Sequence, residues 1–190
     1  NSKPQATMAD IADQMRNIPG MGNVEVDRSA NVRLPFDAEL YAPFIETEDD
    51  PESLATFYET TTNSEAQYGA PLISVNSDMI KLYNKTARQK IDIDAFEKGE
   101  VCLIGYVDSI SASERMTDKT LTLVNDQTGG KRQITVGAAM MRTEQSAITA
   151  GYYWTLGGAP EAIFVSDAVM DDLFPDAEIS CIIADAEKGK

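Results

Sequence analysis

Residues Ile91 to Gly105 read IDIDAFEKGEVCLIG, and this stretch decides the fold. An amphipathic turn carrying Ile91, Ile93 and Phe96 runs into Gly99. Glycine fits the position just past a helix end, where φ > 0 carries no steric cost. The apolar run Val101-Cys102-Leu103-Ile104-Gly105-Tyr106-Val107 follows at once. It is short and rich in β-formers, so it predicts a strand buried on both faces.

Towards the start, Ala6 to Asn17 predicts a helix. Met8, Ile11, Ala12, Met15 and Ile18 follow the i, i+3, i+4, i+7 spacing of one buried face. Thr7 is placed as its N-cap, and Pro19 with Gly20 as its stop. Asn23 to Leu34 alternates around Val24, Val26, Val32 and Leu34. It reads as a strand, or as a hairpin turning at Arg28-Ser29-Ala30-Asn31. Ile45 to Ser53 is acidic and carries Pro51, which biases Asp50 towards an extended conformation and marks an exposed loop. Pro71 to Val75 reads as a strand. Ser77 is placed as the N-cap of a helix to Thr86 that buries Met79, Ile80 and Tyr83.

Towards the end, Ser109 to Asp118 reads as a polar loop. Strands are predicted over Thr120 to Val124 and Gln133 to Ala139, joined by a hairpin turn, Asn125 to Lys131, in which glycine supplies φ > 0. Ala162 to Ser166 predicts a strand and Ala168 to Phe174 a helix capped by Ser166 or Asp167 and ended by Pro175. Ile179 to Ala184 is expected to be the last core strand. The whole is α+β: short helices against a mixed or antiparallel sheet, with no internal repeat.

The composition narrows the chemistry. The chain has 190 residues, 31 acidic against 16 basic, for a net charge of −15. Phosphate-directed binding of nucleic acid needs clustered Lys and Arg, so it is disfavoured. The acidic balance reads first as solubility and second as a surface that attracts cationic molecules. There is no histidine. That removes Ser-His-Asp, Cys-His and His-metal sites, together with the commonest general base. Cys102 and Cys181 are too far apart for a CxxC site, and both sit in apolar runs, so burial as free thiols is expected before a disulfide. No apolar stretch approaches the ~20 residues needed to cross a bilayer. A start at Asn1 rather than Met leads us to expect a fragment of a longer protein.

Individual motifs carry little catalytic signal. Gly20-Met21-Gly22 lacks the third glycine of a dinucleotide loop, Glu25 standing in its place, and follows a helix where a strand is required. Glu46, Glu48, Asp49, Asp50 and Glu52 offer oxygen ligands without the spacing of a calcium loop, and a solvated loop is the plainer reading. Carboxylate pairs are everywhere in so acidic a chain, and no Ser-x-x-Lys occurs. No catalytic, metal-binding or cofactor-binding residue is predicted. Tyr152, Tyr153 and Trp154 form the one aromatic cluster. Core packing is its plainer use. If exposed, Tyr152 and Trp154 with the acidic Glu46, Glu48, Asp49 and Asp50 are the expected contact surface, since aromatic residues anchor interfaces.

Three segments resemble the extracytoplasmic domain of FtsX/MacB-type ABC transporter permeases. Asp94, Phe96, Glu97, Gly99 and Glu100 match an acidic-aromatic-Glu-x-Gly-Glu step into a core strand. Met8 to Val26 looks like that family's helix, Ile-Pro-Gly turn and strand, and Glu161 to Glu187 like its strand, short helix and strand. The resemblance implies a base lobe from both chain ends, 1–45 plus 160–190, and an inserted lobe over 46–159. It implies no chemistry in this domain and no cofactor. ATP hydrolysis would fall to a cytoplasmic ATPase subunit reached through membrane helices. The domain would sit on the extracytoplasmic side of the cell membrane and contact a substrate or a protein partner. The stretch Ile45 to Gln67 matches nothing in that pattern. Two readings of other classes stay open: a secreted hydrolase working with carboxylates alone, and a surface adhesion or interaction module.

Overall fold

A computed structural model describes residues 6–35, 68–107, 110–141 and 162–186. In chain order the elements are α1 (Met8–Arg16), β1 (Met21–Leu34), β2 (Tyr68–Ser74), α2 (Ser77–Thr86), α3 (Ile93–Glu97), β3 (Val101–Val107), α4 (Ile110–Met116), β4 (Thr120–Val124), β5 (Lys131–Met141), β6 (Ala162–Val165), α5 (Asp167–Leu173) and β7 (Glu178–Ala186). The class is α+β, as the sequence predicts. The lobe boundaries expected near 45 and 160 lie outside the described residues, as does the acidic loop expected at Ile45 to Ser53.

The seven strands form one mixed sheet in the order β2-β6-β3-β5-β4-β1-β7, and β1 also pairs with β2. Six strands thus close into a ring, with β7 attached outside it along β1. Pairs β2–β6 and β3–β5 are parallel, and the others are antiparallel. The ring interior is apolar. Leu34, Leu72, Cys102, Ile104, Leu121, Leu123, Val136 and Ile163 meet there, and α5 adds Val169, Met170 and Leu173. The opposite faces of β2, β3, β5 and β6 carry Ile73, Leu103, Met140 and Phe164, covered by Ile80 and Tyr83 of α2 and Phe96 of α3. Strand β3 is therefore buried on both faces, as its run of apolar residues predicts.

The entry to β3 shows how the sequence sets this. Asp92 caps α3 through its carboxylate, which accepts from the Ala95 N–H at 3.0 Å. Gly99 then turns the chain with φ +71°. A Cβ there would lie 2.7 Å from both Arg132 Nη2 and Val169 Cγ2. Glycine is required twice over, for the left-handed backbone and for the close approach.

Five expectations need correction. Residues 28–31 do not turn, because β1 is one strand of 14 residues. The segment has no glycine to take φ > 0, and it has partners on both sides: Arg28 to Leu34 pair with β2, and Met21 to Ser29 pair with β7. Residues Ile110 to Met116 are helical, not loop. Met116 is drawn into the ring core, which overrides the polar composition of the segment. Asn76, not Ser77, caps α2, its Oδ1 accepting from the Asp78 and Met79 N–H groups at 2.9 and 3.0 Å. Thr7 does cap α1, and Asp10 answers it in a reciprocal capping box. But of α1's predicted face only Ala12 is buried, while Met8, Ile11 and Ile18 are 40%, 38% and 48% exposed. The helix lies on β1 and β7 at the sheet margin, where a narrow stripe is enough for contact. Finally, among the described residues β7 stands at the edge of the sheet, so Cys181 is half-buried where Cys102 is fully buried, and both thiols are free.

Candidate functional site

The long strand β1 positions everything of functional interest. Along it the buried side changes from Glu25 and Asp27 to Val32 and Leu34. The change falls where the pairing to β7 slips, between Asp27 and Arg28.

Arg28 stands at that junction. Its backbone N–H donates to the buried Ser74 Oγ at 3.2 Å. Its guanidinium reaches Asp167 at 2.7 Å and Asp171 at 2.8 Å, one turn apart on α5. Those two carboxylates hold the Arg28 charge in place and fasten α5 to β1. They outweigh the desolvation of Arg28, so its pKa rises above the ordinary arginine value.

On the β7 side of the junction, Glu25 Oε1 accepts from the Asn76 N–H at 2.9 Å, and the buried Asp27 stands two residues along, on the same side of the strand. Burial pushes the Glu25 pKa up, the hydrogen bond from Asn76 opposes this, and the charges of Asp78 and Asp167 add to the rise. Cys181 pairs directly across from Asp27. Burial, then the charges of Asp27 and Glu25, push its thiol up as well. Cys102, sealed inside the ring, is pushed up to about 12 by burial and is chemically inert.

On the other side of the junction, Ala30 and Asn31 form one wall of an open cleft of about 450 Å³. The turn Asn125 to Thr128 and the segment Phe174 to Ala177 form the rest of it. Asn125 builds this cleft. It is buried, and its Nδ2 donates to the Leu173 carbonyl at 2.7 Å while its Oδ1 accepts from the Gln127 N–H at 2.9 Å. One side chain thus ties the β4–β5 turn to the end of α5. Gly129, at φ +74°, completes the turn. Asp126 stands in the wall, ion-paired with Arg33 of β1. Asp176 adds an exposed carboxylate, and Phe174 offers a half-buried ring. The volume falls in the range of small-molecule and side-chain pockets. The lining holds no nucleophile beside a base. It is equipped to bind, through carboxylates, amides and one aromatic ring. Among the described residues, no group of three or more acidic or cysteine side chains is arranged to hold a metal ion.

The contact residues predicted from sequence, Tyr152, Trp154, Glu46, Glu48, Asp49 and Asp50, lie outside the described residues. The cleft and the Glu25–Asp27 pair were not foreseen. The cleft joins three segments distant in sequence. Only its Asn125 turn left a local signal, in the hairpin pattern of residues 125–131.

No protein-family model matches the chain. No curated protein matches it by sequence. By structure the chain is similar to the periplasmic region of MacB from Actinobacillus actinomycetemcomitans, with a TM-score of 0.50 at 8% identity, covering 98% of this chain and 67% of that one. It is also similar to the extracellular domain of a noncanonic ABC-type transporter, YknZ, from Gram-positive bacteria, with a TM-score of 0.49 at 12% identity, covering 97% of this chain and 74% of that one. The likeness to the MacB region spans nearly the whole chain and is a likeness of fold. It agrees in architecture with the resemblance read from the three sequence segments. Among the described residues, no helix is long and apolar enough to cross a membrane.

Proposed function

We propose that this chain is the extracytoplasmic domain of an ABC transporter permease and acts as a contact module without chemistry of its own. The observation that carries this reading is the fold shared with the MacB periplasmic region across 98% of the chain. The absence of histidine from the sequence is in keeping with it. On this reading a cytoplasmic ATPase subunit supplies the energy, and membrane helices outside this sequence transmit it.

The Asn31–Asp126–Phe174 cleft is the surface we assign to contact. Its carboxylates suit a cationic group on the substrate or partner, and the net charge of −15 would steer such a molecule towards it. Steering alone gives rate rather than specificity, so the Phe174 ring and the Asn31 amide would supply the short-range part.

The test is the full reading frame, expressed and purified from membranes. The expected result is a chain flanked by hydrophobic helices of ~20 residues that co-purifies with an ATPase subunit, and a domain that added protease cleaves from outside intact cells. A free-standing secreted protein that co-purifies with no ATPase would overturn the reading.

A further inference from the structure

The ladder along β1 lacks a rung. From Arg28 to Leu34 the strand pairs with β2 on one side. On its other side the pairing to β7 stops at Ser29, opposite Glu178, and β4 takes over at Arg33, opposite Val124. Among the described residues, no strand lies against Ala30 to Val32 on that side. The polar groups of successive residues in a strand turn to alternate sides. The Arg28 N–H faces β2, where it donates to Ser74 Oγ at 3.2 Å. The main-chain groups of Asn31, three residues on, therefore face away from β2 and into the gap. Opposite Asn31 on β2 stands Pro71, which has no N–H to give and so agrees with this placement.

This gap opens into the cleft of about 450 Å³, whose two layers differ in chemistry. Ala30, Phe174 and Ala177 pack against the ring core and form an apolar floor. Residues 126–128 and Asp176 form an exposed polar rim. Asp126 is taken up by Arg33. Asp176 is in no ion pair among the described residues, so its charge is open to a ligand. Side chains of an extended chain alternate between faces, and residues directly opposite on paired strands share one face. Val32 points into the ring core, so Asn31 points outward. A chain lying in the gap with one residue opposite Asn31 sends that side chain outward to the rim. The side chains on either side of it turn inward, onto the floor.

We propose that the cleft binds an extended peptide segment with a basic residue between two apolar ones, and that the main chain of the basic residue completes the missing rung at Asn31. This rests on reading the cleft as the contact surface, and it narrows the partner from any cationic molecule to a polypeptide. The N–H and C=O of Asn31 give main-chain hydrogen bonds and fix the register, as in strand addition to a sheet. Asp176 takes the basic side chain, and the floor takes its apolar neighbours. The net charge of −15 favours the approach of a basic segment and disfavours a second copy of this chain. A small cation meets Asp176 but leaves the Asn31 main chain and the floor unused.

The experiment is an amide NMR titration of the intact labelled chain with the capped tripeptide acetyl-Val-Lys-Val-amide, up to about 10 mM. The amides of Asn31 and of residues 125–128 are expected to shift together along one saturating curve. Methylating the lysine main-chain nitrogen of the peptide removes one rung bond and should weaken binding about tenfold. Asp176→Asn in the protein, at an exposed position where the fold is kept, should weaken it several-fold at low salt and little at high salt. Spermidine, a cation without a peptide main chain, should leave the Asn31 amide in place. A tripeptide that leaves Asn31 unmoved, or that binds as tightly when methylated, would overturn the rung. Binding indifferent to Asp176→Asn at low salt would overturn the basic specificity. Spermidine shifting the same amides as strongly would overturn the peptide in favour of a small cation. Each of these results concerns the cleft alone, whereas membership of a permease is decided by the full reading frame.

Discussion

From Arg28 to Leu34, β1 pairs with β2 on one side and meets β4 at Arg33 on the other, and it buries Val32 and Leu34 inside the ring. From Met21 to Asp27 the same strand pairs with β7 and buries two carboxyl groups. The first region is held by apolar burial, which is indifferent to pH and salt in the ordinary range. The second is held by hydrogen bonds, charge and an edge strand, which respond to both. One strand thus links a rigid ring to a releasable margin. The cleft lies at the ring end and the acid pair at the margin.

Cysteine labelling separates the two regions by the largest factor. Cys102 faces the ring core and should react only through global unfolding, roughly 10³-fold or more slower than Cys181 on the margin. Comparable rates in the native protein would mean that the ring opens locally and that the two regions are not distinct.

Next comes core truncation. Leu34→Ala should cost about 2–5 kcal/mol in denaturant unfolding, as expected for a large side chain removed from a closed core. Val26→Ala, on a half-buried position of the β7-paired region, should cost about 1 kcal/mol or less. Equal losses would break the comparison.

Arg28→Ala at the junction should cost about 1 kcal/mol, and the loss should shrink at high salt. Arg28 itself is 19% exposed, but Asp167 and Asp171 are 62% and 65% exposed, so water screens much of the attraction. A salt-independent loss would show that the arginine acts through packing of its stem instead.

The smallest effect is Glu25→Gln. Because burial raises the Glu25 pKa in the folded state, its contribution to stability is present below the ordinary glutamate value and is lost as pH rises through the raised value. Wild-type stability should therefore fall relative to Glu25→Gln across that window, and the two should run parallel above it. Parallel curves throughout would mean that the carboxyl gains nothing from its proton.

The ring was legible in the sequence where local chemistry sets it. Gly99 has to be glycine, the β3 run has no polar face to expose, and Asn125 to Lys131 can scarcely do other than turn. The margin was not. Arg28 to Asn31 look like a turn by composition, and only partners distant in sequence, Ser74 on one side and Ile179 on the other, keep them extended. Helix α1 has the period of a buried face, yet the margin offers it too little surface to cover Met8, Ile11 and Ile18. Glu25 and Asp27 are two acids among 31, and nothing local marks them as buried. The cleft was hidden for the same reason, since Asn31, Asp126 and Phe174 meet only when the ring has closed.

The division of β1 is tested most directly by native-state hydrogen exchange in low denaturant, read strand by strand at one pH. The account predicts that the Val32 and Leu34 amides exchange with the free energy and denaturant slope of global unfolding. The Val24 and Val26 amides, with Ile182 and Ala184 across from them in β7, should exchange through a smaller opening with a shallow slope. A single isotherm shared by both halves of β1 would contradict it.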